Sequence, residues 1–400
     1  MKLIHLASVI LIAAPLPAGA ESMLDGVSAW SSPDGNTRAR LSGTLDLEGY
    51  QFSGSVPGFV FTDSRELLNP RLSAFLDVQV GAQIYGFAQA RFDRGFDPQD
   101  GKAQARLDEY ALRWTPWEDS RLNIQVGQFA TVVGNWTLRH LSWDNPFIGA
   151  PGPYTTMTPI SEESLFDPLD DHHFSADEAY EYNPIIWGPS YATGIAISGK
   201  LGHWEYATEW KNAALSSRPE AWTLRDMHAG RGTFSGRVGW RPNEAWNIGL
   251  SASDGVYMSA LVSNELPRGV VLSDFRQTVI AHDISYAWRH FQFWGEVFGS
   301  RFDIPGVGSG DVLGWYVEAK YKFSPRWFGA LRFNQMIYGE LPGANGIAQS
   351  WGEDSWRADF AITFRMTEFT QLKLQYCYLT HPGGESADGH MIATQFTVRF

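Results

Sequence analysis

The sequence predicts an all-β protein: a sixteen-stranded antiparallel transmembrane β-barrel with a long third extracellular loop folded into its lumen. Three observations carry this. Segments of about 9–13 residues alternate apolar and polar side chains with period two, the signature of a strand with one apolar face. Aromatic residues recur where short turns join those segments. One stretch of some sixty residues, 130–190, shows no sustained period; a structureless stretch of that length inside a compact domain is a functional loop if the elements around it are real.

The chain opens MKLIHLASVILIAAPLPAGA, with Lys2 as a charged start, an apolar run over 6–14, and Ala18-Gly19-Ala20 as a small-residue cleavage site. This reads as a secretory signal peptide over 1–20, too short to span as a helix. Beyond it no apolar run reaches the roughly 18 residues of a membrane helix. The formal charge is −13, which argues against nucleic-acid binding. Cys377 is the single cysteine, so no intramolecular disulfide forms, and an exported chain of this size calls on strand pairing for its stability.

Residues 21–37 are rich in Ser, Gly and Asp and read as irregular; the barrel is expected over 38–400. The first strand, 38–50, sets Ala39, Leu41, Gly43, Leu45 and Leu47 against Arg38, Arg40, Thr44, Asp46 and Glu48. The second, 71–80, turns Leu72, Ala74, Leu76 and Val78 outward; Gly81-Ala82 returns the chain into 83–92, with Tyr85, Gln89 and Arg91 on its polar face. Strands at 106–115 and 121–129 flank the turn 116–120, and the long loop follows. Beyond it come 191–201 and 204–213, 231–241 and 246–254, 276–288 and 291–301, 312–323 and 327–338, 355–365 and 370–379, and finally 390–400. Turns of two to five residues alternate with longer loops, as short periplasmic turns and long extracellular loops do in outer-membrane barrels. The strand lengths suit tilted spans of about 9–11 residues.

Trp114 and Trp117 flank one short turn, Trp204 follows the next, and Trp240 and Trp246, Trp288 and Phe291, Phe323 and Trp327, and Phe364 and Phe369 flank the others. Aromatic rings with polar edges prefer the bilayer interface. A soluble sandwich with this pattern would expose a broad apolar face to water. With its leader, sixteen strands, long third loop and terminal Phe400, the sequence resembles the bacterial outer-membrane porins over 38–400. That resemblance implies a third loop that constricts the pore, a terminal aromatic that serves assembly, and a homotrimer in outer-membrane lipid. The small outward residues Ala39, Gly43 and Ala74 are candidate contacts with a neighbouring copy. The PEFGG-like signature of the enteric general porins is absent, and WDNPF (143–147) stands in its place; the strand end Val126-Gly127-Gln128-Phe129 looks more like the phosphate-selective, substrate-specific branch.

Alternation assigns the lumen. Its expected basic lining includes Arg40, Arg237, Lys320, Arg332, Arg357 and Lys373, and its acids include Asp46, Glu48, Asp283, Glu296, Glu318 and Asp359. The loop is acidic, with Asp144, Glu162, Glu163, Asp167, Asp170 and Asp171, and Arg139 as its only strong base. A basic wall opposite an acidic loop would set up a transverse field. The expected function is passive diffusion of small hydrophilic solutes and ions. The alternatives are a substrate-specific channel, for anions such as phosphate or for sugars along an aromatic slide of Tyr85, Phe87, Trp294 and Phe298, and an outer-membrane enzyme. No Ser–His–acid grouping, phosphate loop or zinc spacing emerges from the spacing, no cofactor is implied, and Asp170-Asp171-His172-His173 reads as a solvated loop rather than a metal site.

Overall fold

The computed structural model describes residues 29–53, 65–94, 103–117, 119–167, 181–223, 232–343, 346–380 and 388–400. The leader over 1–20, Asp170, Asp171, His172 and His173 lie outside the described residues.

Sixteen strands form one closed antiparallel sheet: β1 (Thr37–Ser53), β2 (Glu66–Val80), β3 (Ile84–Asp93), β4 (Gln104–Trp114), β5 (Asn123–Gln128), β6 (Thr193–Leu201), β7 (Trp204–Lys211), β8 (Thr233–Trp240), β9 (Trp246–Val256), β10 (Arg276–Trp288), β11 (Phe291–Ile304), β12 (Gly308–Lys322), β13 (Trp327–Tyr338), β14 (Ser355–Arg365), β15 (Thr370–Thr380) and β16 (Gly389–Arg399). Each strand pairs with its sequence neighbours, and β16 closes on β1 in the register Gln395↔Glu48. Closure pairs each of the sixteen strands on both sides. Outward positions carry exposed Leu76, Leu112, Val126, Leu250, Val317, Leu331 and Leu374, while the alternate positions are buried or half-buried.

The terminal Phe400 extends β16 by exchanging two backbone hydrogen bonds with Gly43. Its ring lies over that glycine: a Cβ at Gly43 would stand 2.5 Å from the ring and 2.7 Å from the Ser73 carbonyl. The space expected to receive a neighbouring copy at Gly43 is thus filled by the chain's own terminus.

Four details depart from the alternation. Ala29–Ser31, expected to be irregular, is a short strand paired with residues 38–40. A bulge in β4 shifts the register between Gln89↔Glu109 and Ala90↔Leu107, so that Asp108 and Glu109 both face inward. The stretch 302–311, Gly-rich and expected as a loop, continues the β11–β12 hairpin to a tight turn at 305–307. β5 spans six residues because the chain turns off the sheet after Gln128. The aromatic belt at the short turns has a counterpart nearer the loop end, where Trp315, Phe333, Trp356, Tyr378 and His390 form a chain of rings 5.1–5.7 Å apart on the outward face of β12–β16.

Candidate functional site: the long loop and the polar cavity beside it

The described residues of the segment between β5 and β6 are hydrogen-bonded to strand side chains, and their backbone makes most of the bonds. Its first part offers N–H donors to wall carboxylates. Ala130 N donates to Glu109 (2.9 Å), Thr131 Oγ1 and Val132 N donate to Glu209 (2.7 and 3.3 Å), and Trp136 N donates to Glu296 (2.9 Å), which also accepts from Asn135 N and from Tyr154 Oη. Arg139 Nη1 reaches Glu318 at 2.6 Å. The next part, 142–150, does the reverse and offers carbonyls to wall cations. Lys373 Nζ donates to Ser142 O and to Asn145 O (2.7 Å), Arg332 Nη2 to Gly149 O (3.1 Å) and Arg357 Nη2 to Ala150 O. Lys211 Nζ ties the ends of the segment together through Phe129 O (2.6 Å) and Ser190 O (3.2 Å).

Gly134 makes this path possible. Its φ is +75°, a region closed to most L side chains, and a Cβ there would stand 2.5 Å from Tyr154 Oη.

On one side the loop forms an apolar cluster with the strands. Val133, Trp136, Tyr154, Ile160, Ile185 and Ile186 pack with inward Val279, Phe298, Phe302, Tyr316 and Met336 of β10–β13. These five wall residues break the rule that inward means polar, and that irregularity was the signal in the sequence for where the loop rests. They also account for two members of the expected aromatic slide: Phe298 is buried under Tyr154 (ring centroids 5.5 Å), and Trp294 is covered by the Arg139 guanidinium at 4.3 Å. Tyr85 and Phe87 stack on each other across the lumen wall at 5.8 Å, so the four rings do not make one track.

On the other side a cavity of 150 Å³ remains. Its wall includes Asp46, Glu48, Arg71, Arg91, Arg332 and Arg357, and its loop face includes Trp136, His140, Ile148 and Ala150. The charges are paired within the wall. Arg71 bridges Asp46 (3.4 Å) and Glu48; Arg332 lies 2.9 Å from Asp359 and 3.7 Å from Glu318; Arg357 lies 3.1 Å from Asp359; Arg237 lies 2.7 Å from Asp283. Buried charges demand such partners. In the Arg71 group the carboxylates lie deeper, the Arg71 side chain being 21% exposed and its two acids 1%, whereas Arg332 and its partners are equally buried.

The predicted site residues therefore occupy different settings. Arg40 is exposed at the end of β1. Lys320 lies over the Phe328 ring at 4.3 Å. Arg237, Arg332 and Arg357 are ion-paired, and Lys373 is held by loop carbonyls. Among the loop acids, Asp144 is exposed within electrostatic reach of Lys320 and Arg365, whereas Glu163 pairs with Arg218 (3.3 Å) and Asp167 is exposed. Glu162 is buried, its carboxylate accepts from Arg218 N at 3.3–3.4 Å, and burial raises that carboxyl to about 7. Arg237, Arg332 and Arg357 are thus compensated by wall carboxylates, and the loop meets the wall largely with backbone dipoles. His140 adds no charge near neutrality: it donates from Nδ1 to Thr137 O and accepts from Tyr191 Oη, and burial lowers it to about 4.

A closed sixteen-stranded antiparallel barrel with this strand order is the fold of the outer-membrane porins. Among solved structures it is similar to the outer membrane channel DcaP of Acinetobacter baumannii, with 10% identity, 94% of this chain and 100% of that chain covered, and a TM-score of 0.59. It is similar also to OmpT, an outer membrane protein of Vibrio cholerae, in its trimer form (9% identity, 91% and 99% covered, TM-score 0.55), and to an anion-selective porin from Comamonas acidovorans (10%, 91% and 100%, 0.54). At these identities the likeness carries the fold alone. No family model matches the sequence, and no curated protein matches it.

Proposed function

We propose that the protein is an outer-membrane porin, a passive channel for small hydrophilic solutes and ions, in which the segment 130–190 constricts the lumen. The observation that carries this is the cavity of 150 Å³ bounded on one side by the loop and on the other by paired wall charges. The exposed apolar outer face with its two aromatic belts supports a bilayer location. In this reading Arg237, Arg332 and Arg357 act within ion-paired groups and Lys373 is held by loop carbonyls, while Arg40 and Lys320 remain the less compensated cations, so ion selectivity is weak. The test is the reversal potential of purified protein in a planar bilayer under a tenfold KCl gradient. A value within about 15 mV of zero is expected, against about 59 mV for a perfectly selective pore. A near-ideal value of either sign overturns the reading, and hydrolysis of lipid or peptide by the same preparation would favour an enzyme.

A mild anion preference is the second reading. It is favoured by the burial asymmetry, which leaves guanidinium N–H groups nearer the lumen than their carboxylates: Arg106 is 18% exposed and its partner Asp93 3%. A homotrimer is proposed as well, supported by the trimeric form of one structural neighbour and by the small outward residues Ala39 and Ala74. A native mass in detergent that shows only monomer would defeat it.

A further inference from the structure

We infer that Gln371, Lys373 and Gln375 of β15 form a latch that sets the width of the passage by holding the loop backbone, and that Lys373 is a positioning residue with no direct part in attracting solutes. This rests on the constriction reading above and names the residues that enforce it.

The three side chains occupy alternate positions of one strand and so point to the same face. All are at most 1% exposed. Each bonds the same short stretch of loop: Gln371 Nε2 donates to Ser142 O (2.9 Å), Lys373 Nζ to Ser142 O and Asn145 O, and Gln375 Oε1 accepts from Ile148 N (2.7 Å). Gln375 is itself oriented by donating Nε2 to Asp359 at 3.0 Å.

Lys373 differs from the wall arginines. Among the described residues no carboxylate lies within ion-pair distance of its ammonium, and two loop carbonyls are its acceptors. A buried ammonium is tolerated only while its donors are satisfied. The dependence is mutual, because removing the ammonium strands the carbonyl of the buried Asn145. The stretch it holds carries Phe147, fully buried beneath the Arg332 guanidinium at 4.2 Å, and Ile148, which lines the cavity. A loop freed at 142–148 would withdraw a cavity wall without removing any charge that solutes can reach.

The experiment uses the whole barrel and Lys373→Met, which keeps the bulk of the side chain and removes its donors. In planar bilayers the variant is expected to conduct KCl at least twofold better than the parent, with added current noise and an unchanged reversal potential. In detergent, chymotrypsin is expected to cut at Phe147 in the variant and not in the parent, a readout independent of conductance. Lys373→Gln, which keeps one donor group, is expected to lie between the two and serves if the methionine variant yields no heat-modifiable barrel. Parental conductance together with parental resistance at Phe147 overturns the latch. A shifted reversal potential at unchanged conductance also overturns it, because Lys373 would then act as a pore charge. A parent that does not conduct defeats the porin reading, and the cleavage comparison still decides the latch.

Discussion

Arg332 offers the strongest test of a self-neutralising wall. Its side chain is fully buried, 2.9 Å from Asp359 and 3.7 Å from Glu318, with Gly149 O at 3.1 Å and the Phe147 ring beneath it. Arg332→Met leaves Asp359 with Arg357 as its remaining cation, whereas Glu318 keeps Arg139 at 2.6 Å. Breaking one side of a buried pair costs about 3–5 kcal/mol, so the variant should lose that much stability. Asp359→Asn keeps the shape and the acceptor for Asn334 Nδ2 (3.0 Å) but strips the charge from beside two arginines, and should cost about 2–4 kcal/mol. The double variant removes both charges together and should be more stable than the sum of the singles by about 2 kcal/mol. Urea titrations of folding into lipid vesicles, scored by heat-modifiable mobility on gels, give all four stabilities. Additivity within about 0.5 kcal/mol would show that the two groups do not act as a pair and would refute the reasoning.

Three further outcomes follow from particular contacts. Gly43→Val should displace the Phe400 ring, which lies 2.5 Å from the new Cβ, and lower the stability by about 1–3 kcal/mol; an unchanged folding midpoint would show that the terminus has room to move. Gly134→Ala should disrupt the Tyr154–Glu296 hydrogen bond and release the start of the loop, seen as faster amide exchange over 130–139. Glu162 is raised to about 7 in the folded protein from an ordinary 4.5, so the folded state holds more protons between those values. Loop packing around it should weaken as pH rises through that window and level off above about 7. Proteolysis of the loop should therefore be faster at pH 8 than at pH 5, and Glu162→Gln should remove the difference; an equal pH response in that variant would assign it to another group.

The sequence by itself determined the wall. Period two fixes which side chains face lipid, and the repeated need to cover an apolar face sixteen times, with aromatic residues at the turns, admits little besides a closed barrel. It placed Arg332, Arg357, Lys373, Glu296 and Glu318 inward because side-chain direction in a strand is local. It could not pair them. Whether Arg332 meets a carboxylate or the lumen depends on the register between β12, β13 and β14, which sets Glu318↔Arg332↔Asp359 in one line across the sheet. The bulge that turns Asp108 and Glu109 to the same side is likewise a property of two strands together. The loop was legible as a loop from its missing period, but its backbone contacts were not, because composition counts side chains and the loop holds the wall largely with N–H and C=O groups that every residue carries. Only the tertiary structure decided where those dipoles fall, and so which wall charges were spent on the loop and which stayed near the passage.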